Sequence, residues 1–347
     1  MTFQSIQDKQ GFLWIATQNG FQRYDGHRFL TFRHIPGDTS SIPENTVNHL
    51  FIDSKERLWL LCDKQAGLFN TVHFTFNEKK ISSPANMIKK IMEDGQGRLL
   101  LFADSKQFVY NETKQSFDSG YSLPPLPPGY TIGDMAADPS TGAYWFTGKQ
   151  GSFLFDPKTK QFNDHALDSF GHVKNARYPF ITKDGVYWMV SWIPFTGSAP
   201  ILYSYDKKRN QLQHFEKIRP YKAADTYYEI WSVFQQSNGT IWIYGMGLLA
   251  YYSPEEKRFS VIKSDPFRQN GIDYDLVSNL YEDKEKNVWV STNKGLYRFN
   301  VEAQVFRNIP NHRINDTTML YRGVSSIVHT AGNGIWVATW GEGVFFL

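Results

Sequence analysis

The chain has 347 residues, of which 16% are aromatic and 20% charged, with a formal net charge of +3 and one cysteine. This aromatic content excludes a disordered chain, and so small a charge gives no bulk electrostatic case for a nucleic-acid or anionic-membrane surface. With Cys62 alone, an internal disulfide framework and any multi-cysteine metal site are excluded as well.

Met1 leads directly into a strand-like segment, so no signal peptide is expected before Phe3. The first readable unit is Asp8-Lys-Gln-Gly11-Phe-Leu-Trp14-Ile-Ala-Thr17-Gln-Asn-Gly20-Phe-Gln-Arg-Tyr24-Asp25, two short strands around a tight turn. Aligned on its central aromatic, the unit recurs at Trp14, Trp59, Leu100, Trp145, Trp188, Trp242, Trp289 and Trp336, with gaps of 45, 41, 45, 43, 54, 47 and 47 residues. A period of about 40–50 residues with four strand-like segments per unit is the pattern of a propeller blade.

The second unit shows the parts. Val47–Ile52 is a first strand, Asp53-Ser-Lys-Glu56 a turn, and Arg57–Leu61 the second strand. Gly67 begins the third strand, and His73–Phe76 is the outer fourth. The second strands are apolar at nearly every position, as in Phe12-Leu-Trp-Ile15 and Ile241-Trp-Ile-Tyr244. A half-exposed strand would alternate, so these strands are expected to be covered on both faces by neighbouring blades. The repeated Asp residues at 8, 53, 94, 138 and 283 sit at each first hairpin and read as turn formers.

Two units depart from the pattern. The third has Leu100 in place of Trp and a Pro-rich tail, Ser122-Leu-Pro-Pro-Leu-Pro-Pro-Gly129, read as an inter-blade connection. The fifth inserts Ser191–Pro200 between its second and third strands, where a binding loop could collect. The longest apolar run, Ile241–Tyr252, is twelve residues and too short to span a bilayer.

The repeats predict an all-β chain: a seven-bladed β-propeller of four-stranded antiparallel blades over residues 1–310. An eighth repeat over 311–347 then begins a second propeller, and an eight-bladed propeller is the alternative. In a seven-bladed ring the last blade is commonly completed by a strand from the N-terminal side. The end at Phe345-Phe346-Leu347, inside a strand, reads as a piece of something longer.

The pattern Asp-x-x-Gly-x-Leu/Ile/Val-Trp-Ile/Val-x-Thr-x-x-Gly-Leu/Phe-x-x-Tyr/Phe-Asp resembles the two-component regulator propeller repeat. The first unit matches it through Gly11-Phe-Leu-Trp14-Ile-Ala-Thr17, Gly20 and Arg23-Tyr24-Asp25-Gly26, then His34–Val47. Thr339-Trp-Gly-Glu-Gly343 in the last unit is another form of it. The resemblance implies the periplasmic sensor region of a bacterial histidine kinase or hybrid two-component system. Family sensors carry two such propellers and a small β-sandwich before a transmembrane helix and a kinase. It further implies an oligosaccharide or other small periplasmic ligand, a possible homodimer through the full-length receptor, and membrane attachment only through segments absent here.

Enzymatic readings have little support in the sequence. The nine His show no His-Glu-x-x-His or His-x-His spacing, and there is no Gly-x-Ser-x-Gly and no phosphate-binding Gly-rich loop. Quinoprotein and sialidase propellers place their Trp and Asp differently, so no catalytic residue, metal or cofactor is expected. What remains is a binding surface on the loops joining second to third strands and fourth to next first strands. These loops hold Lys149, Arg177, Tyr178, Trp192, Tyr227, Tyr228 and Trp340. Aromatic faces with Arg and hydroxyl groups suit sugar recognition. A protein-interaction scaffold without a small ligand is the alternative function, and a propeller enzyme the third.

Overall fold

The computed structural model describes residues 1–83, 87–94, 96–103, 106–119, 130, 132–138, 141–156, 158–163, 173–192, 199–216, 218, 227–266, 271–300, 324–330, 334–339 and 343–346. The described residues form strands and turns without a helix, and the chain divides into a unit Met1–Val301 and a unit Glu302–Leu347. The boundary expected at 310–311 and the Pro-rich tail lie outside the described residues.

Unit Met1–Val301 is a β-propeller built from seven sheets in chain order. Their inner strands are Thr2–Gln7, His49–Ile52, Ile88–Glu93, Ile132–Ala137, Ala176–Ile181, Ser232–Gln235 and Val277–Glu282. Each pairs antiparallel with a second strand: Leu13–Thr17, Leu58–Cys62, Leu99–Ala103, Tyr144–Gly148, Val186–Ser191, Ile241–Gly245 and Val288–Thr292. Numbering the blades by these strands, blades 1, 2, 4, 5 and 6 have four strands each, and three are described for blade 7. Blade 3 carries an extra two-residue strand, Lys80–Ile81, parallel to its outer strand.

The ring closes between blades 7 and 1 without strand exchange. The first residues form the inner strand of their own blade, Thr2–Gln7, instead of completing blade 7. Closure runs through polar bonds: Thr292 N–H donates to Thr2 Oγ1 at 3.0 Å, and Ser278 Oγ donates to the Thr2 carbonyl at 2.8 Å. Lys284 Nζ reaches the carbonyls of Asp8 and Lys9 at 3.0 and 2.7 Å.

The second strands form the core. In blades 1, 2, 3, 4 and 7 every one of their residues is buried. Packing runs between blades: Trp14 packs with Leu50, Leu58 and Phe69 of blade 2, and Trp145 stacks on Tyr187 of blade 5 at 4.0 Å and 11°.

In blades 1, 2 and 7 the Asp at the first hairpin has two tasks, one per carboxylate oxygen. One oxygen accepts the main-chain N–H four residues on, which closes the turn: Phe12 to Asp8 at 2.9 Å, Arg57 to Asp53 at 2.8 Å, Asn287 to Asp283 at 2.8 Å. The other accepts the indole N–H of the central Trp six residues on: Trp14 to Asp8 at 2.7 Å, Trp59 to Asp53 at 2.9 Å, Trp289 to Asp283 at 2.7 Å. A buried indole N–H and a buried carboxylate would each be costly alone, and the pair satisfies both. In blade 6 the amide of Gln236 takes the Asp role toward Trp242 at 3.2 Å.

Unit Glu302–Leu347 shows one three-stranded antiparallel sheet, Val324–His329, Ile335–Thr339 and Gly343–Phe346. Trp336 packs there on Phe346, with ring centroids 4.9 Å apart.

Candidate functional site

Inner strands of successive blades adjoin one another around the ring. Each central residue (Trp14, Trp59, Leu100, Trp145, Trp188, Trp242, Trp289) pairs with an inner-strand residue, and two positions before that residue stand Gln4, His49, Lys90, Asp134, Tyr178, Ser232 and Asn279. All seven are polar and half-buried. Several bond to the main chain of the next blade, one residue beyond its own member of the set. Gln4 Oε1 accepts Leu50 N–H at 2.7 Å, and Asn279 Oδ1 accepts Ser5 N–H at 3.2 Å. Lys90 Nζ donates to the Met135 carbonyl at 2.9 Å and pairs with Asp134 at 3.3 Å, while His49 bonds the main chain of Ile91. Burial, aided by the Lys90 ammonium, lowers the His49 pKa to about 4.

Blade 5 breaks this pattern. Tyr178 is followed by Pro179, which has no N–H to offer the preceding blade, and Tyr178 itself adopts φ +52 within the irregular stretch between Arg177 and Phe180. The Tyr178 phenol has its pKa raised by burial, lies beside the Arg177 guanidinium, and feels the carboxylates of Glu229 and Asp134.

Against this stretch packs the segment 227–231 that leads into blade 6. It is seated on the backbone of Gly245 and Gly247: Glu229 N–H donates to the Met246 carbonyl at 2.9 Å. A Cβ at Gly245 would collide with the Glu229 carbonyl, and one at Gly247, where φ is +61, would meet the Tyr227 carbonyl. Glu229 then becomes the hub of a polar knot. Tyr227 OH donates to one carboxylate oxygen at 2.5 Å and Trp231 Nε1 to the other at 2.6 Å.

Of the seven residues the sequence singled out, the structure brings Tyr178, Trp192, Tyr227 and Tyr228 into one cluster between blades 5 and 6, with Arg177 next to it. Trp192 and Tyr228 are core residues, 4% and 0% exposed, so neither ring is displayed on a loop. Trp192 is held down by its main-chain bond to Asn175 and by packing near Tyr227, ring centroids 6.3 Å apart. Lys149 is exposed in the turn of blade 4, where its carbonyl accepts Asn175 N–H at 3.0 Å. Trp340 lies outside the described residues. Glu229, Trp231 and the acid–base pair of Asp134 with Lys90 were not singled out in the sequence. The Gly245-Met-Gly247 pair was the available signal, because it marks a close backbone approach.

The half-buried rings of Tyr178, Tyr227 and Trp231, with Arg177 and Glu229 among them, combine apolar faces with charged hydrogen-bonding groups. Such a patch can hold a neutral, hydroxyl-rich ligand against aromatic walls. Among the described residues no group of three or more His, Cys, Asp or Glu is placed to hold a metal. Cys62 is buried, and burial pushes its thiol up to about 12, so it is no nucleophile.

No family model and no curated protein matches the chain. Solved structures do. Two extracellular domains assigned to hybrid two component systems of B. thetaiotaomicron superpose with TM-scores of 0.66 and 0.65, each at 18% identity. They cover 100% and 92% of this chain, which spans 46% and 45% of theirs, less than half their length. Virginiamycin B lyase from Staphylococcus aureus superposes at 0.59 with 10% identity, over 85% of this chain and 92% of its own. At these identities the likeness is one of fold, and it agrees with the fold that the repeat implies.

Proposed function

We propose that this chain is the ligand-sensing propeller of a two-component receptor, lying outside the cytoplasmic membrane and regulating a histidine kinase. The observation that carries the reading is the likeness, over the whole chain, to extracellular domains of hybrid two component systems. The repeat motif of the first and last units supports it independently. Among the described residues no helix is long and apolar enough to cross a membrane.

The ligand in this reading is a carbohydrate fragment, held by the patch of Arg177, Tyr178, Tyr227, Glu229 and Trp231. The rings present C–H-binding faces, while Arg177 and Glu229 orient hydroxyls by charge-assisted hydrogen bonds. No group in the patch is arranged as a nucleophile with its base, which is why binding and not turnover is proposed. Calorimetry against a panel of oligosaccharides tests this. Binding that is lost in Arg177→Ala with the fold intact is expected. Silence across the panel from well-folded protein overturns the carbohydrate reading, and hydrolysis or elimination of a panel member overturns the non-enzymatic one.

A further inference from the structure

Two neighbouring seams of the ring are built alike except for one carboxylate. Between blades 2 and 3 the guanidinium of Arg57 lies over the rings of Trp59 and Tyr110, 5.5 Å from each centroid. Its two terminal nitrogens grip both oxygens of Glu112, at 2.8 and 2.9 Å. Between blades 1 and 2 the corresponding places differ. Phe12 stands two residues before Trp14, where blade 2 has Arg57 before Trp59. Thr71 follows Asn70 where Glu112 follows Asn111, in a turn closed by the same pair of side-chain bonds. The cation comes instead from the third strand: Arg23 lies over the Phe12 ring at 4.2 Å and the Phe74 ring at 5.2 Å.

No carboxylate meets this second guanidinium. Among the described residues Arg23 makes ring contacts but no hydrogen bond or ion pair. The acids of the adjoining hairpins are engaged: Asp8 by the Phe12 N–H and the Trp14 indole, Asp25 by the N–H groups of His27 and Arg28, and Glu56 opposite Lys9 at 4.0 Å. Arg23 is half-buried, yet none of its unbonded nitrogens is sealed from solvent, so an incoming acceptor reaches them. Rings over the faces of a guanidinium leave its N–H groups in the plane for that acceptor. Phe74 holds its place against a local preference. In the same turn of blades 3 to 6 the left-handed residue is Gln115, Lys160, Asn210 or Lys257, with φ from +48 to +56, whereas blade 2 puts Phe74 there at +58. A bulky side chain disfavours that conformation, and here its ring packs on Arg23 and on Phe32, with ring centroids 5.0 Å apart for the latter.

From this comparison we infer that the seam of blades 1 and 2 docks an acidic side chain of a protein partner, whose carboxylate takes the fork of Arg23 as Glu112 takes that of Arg57. Such a pair is directional and charge-assisted. Its surroundings are apolar: Leu30, paired with Arg23 on the next strand, is 41% exposed, and Val72, two residues before Phe74, is 76% exposed. The segment that fits therefore carries a glutamate between aliphatic residues and is not a run of acids. Among the described residues the outer strand Phe29–Phe32 is paired on one side only. An extended segment fits along such an edge, as Lys80–Ile81 runs along the outer strand of blade 3. The site lies by the first hairpin of blade 1, at the other end of the strands from the segment 227–231, and does not depend on the carbohydrate reading.

The test is a titration of the intact chain with the blocked peptide acetyl-Ile-Glu-Ile-amide, followed by ¹H–¹⁵N NMR of the arginine Nε–H groups, the Arg23 signal being assigned with Arg23→Lys. A saturable shift of that signal is expected, and acetyl-Ile-Gln-Ile-amide should bind at least tenfold more weakly. Thr71→Glu supplies within the chain the carboxylate that blade 3 carries as Glu112, and should weaken peptide binding at least fivefold while Arg23 stays in place. Arg177→Ala should leave the titration unchanged, which separates this site from the carbohydrate patch. No saturable shift, equal binding of the two peptides, unchanged binding in Thr71→Glu, or loss of binding in Arg177→Ala would each overturn the inference. Sodium galacturonate binding as tightly as the glutamate peptide would overturn the assignment to a protein partner.

Discussion

The hydroxyl of Tyr144 in blade 4 donates to Asp94 Oδ2 in blade 3 at 2.9 Å. Blade 3 has Leu100 where a tryptophan would supply an indole N–H, and the neighbouring blade supplies the donor instead. Asp94 is buried, and Arg98 Nε is its other side-chain donor at 2.6 Å. Removing the phenol leaves a buried carboxylate oxygen short of one bond. Tyr144→Phe is expected to lower stability by ~1–3 kcal/mol, read as a lower denaturation midpoint in urea.

Trp242 is 4% exposed and packs on Val277, Leu280 and Phe299 of blade 7. Its truncation removes a wedge between blades. Trp242→Ala should cost ~3–5 kcal/mol, and an unchanged midpoint would count against the packing described.

Asp8 carries both the turn bond and the indole bond, so its variants should be graded. Asp8→Asn keeps an acceptor oxygen and should cost under about 1.5 kcal/mol, whereas Asp8→Ala strands Trp14 Nε1 and the Phe12 N–H and should cost more, ~2–4 kcal/mol. Equal effects from the two variants would count against these two hydrogen bonds as the source of the loss.

His49 gives a pH dependence with a definite sign. Its folded pKa is about 4, below the unfolded value near 6.5, because burial and Lys90 disfavour the charged ring. Above pH 6.5 both states are neutral and nothing is lost. As pH falls from about 6.5 to 4 the unfolded chain takes up a proton that the folded chain refuses, and stability declines by ~1–3 kcal/mol. His49→Gln should flatten this part of the stability profile relative to the parent, measured by urea midpoints across that window.

Much of the blade was legible in the sequence because its determinants are local. The turn at Asp53, the buried run Leu58–Cys62 and the spacing of six to Trp59 lie within ten residues of one another. The second half of the Asp role, holding the indole, rests on that same spacing of six. The placement of Trp192 was misleading for a physical reason: Pro and Gly around it suggest a loop, and nothing nearby in sequence announces the blade 6 residues Tyr228 and Ile230 that cover it.

The order of strands, the burial of their faces and the Asp–Trp pairs were determined by the sequence itself, through hydrogen bonds and side-chain alternation a few residues apart. Which residues meet at a site was decided only by the closed ring. Thr2 finds Thr292 across nearly three hundred residues, Tyr178 finds Glu229, and the Trp188 indole is buried without an acceptor where the hydroxyl of Thr182 is engaged by Val186. Those relations depend on how seven sheets curve around an axis, and a repeat read one unit at a time holds no record of its neighbours.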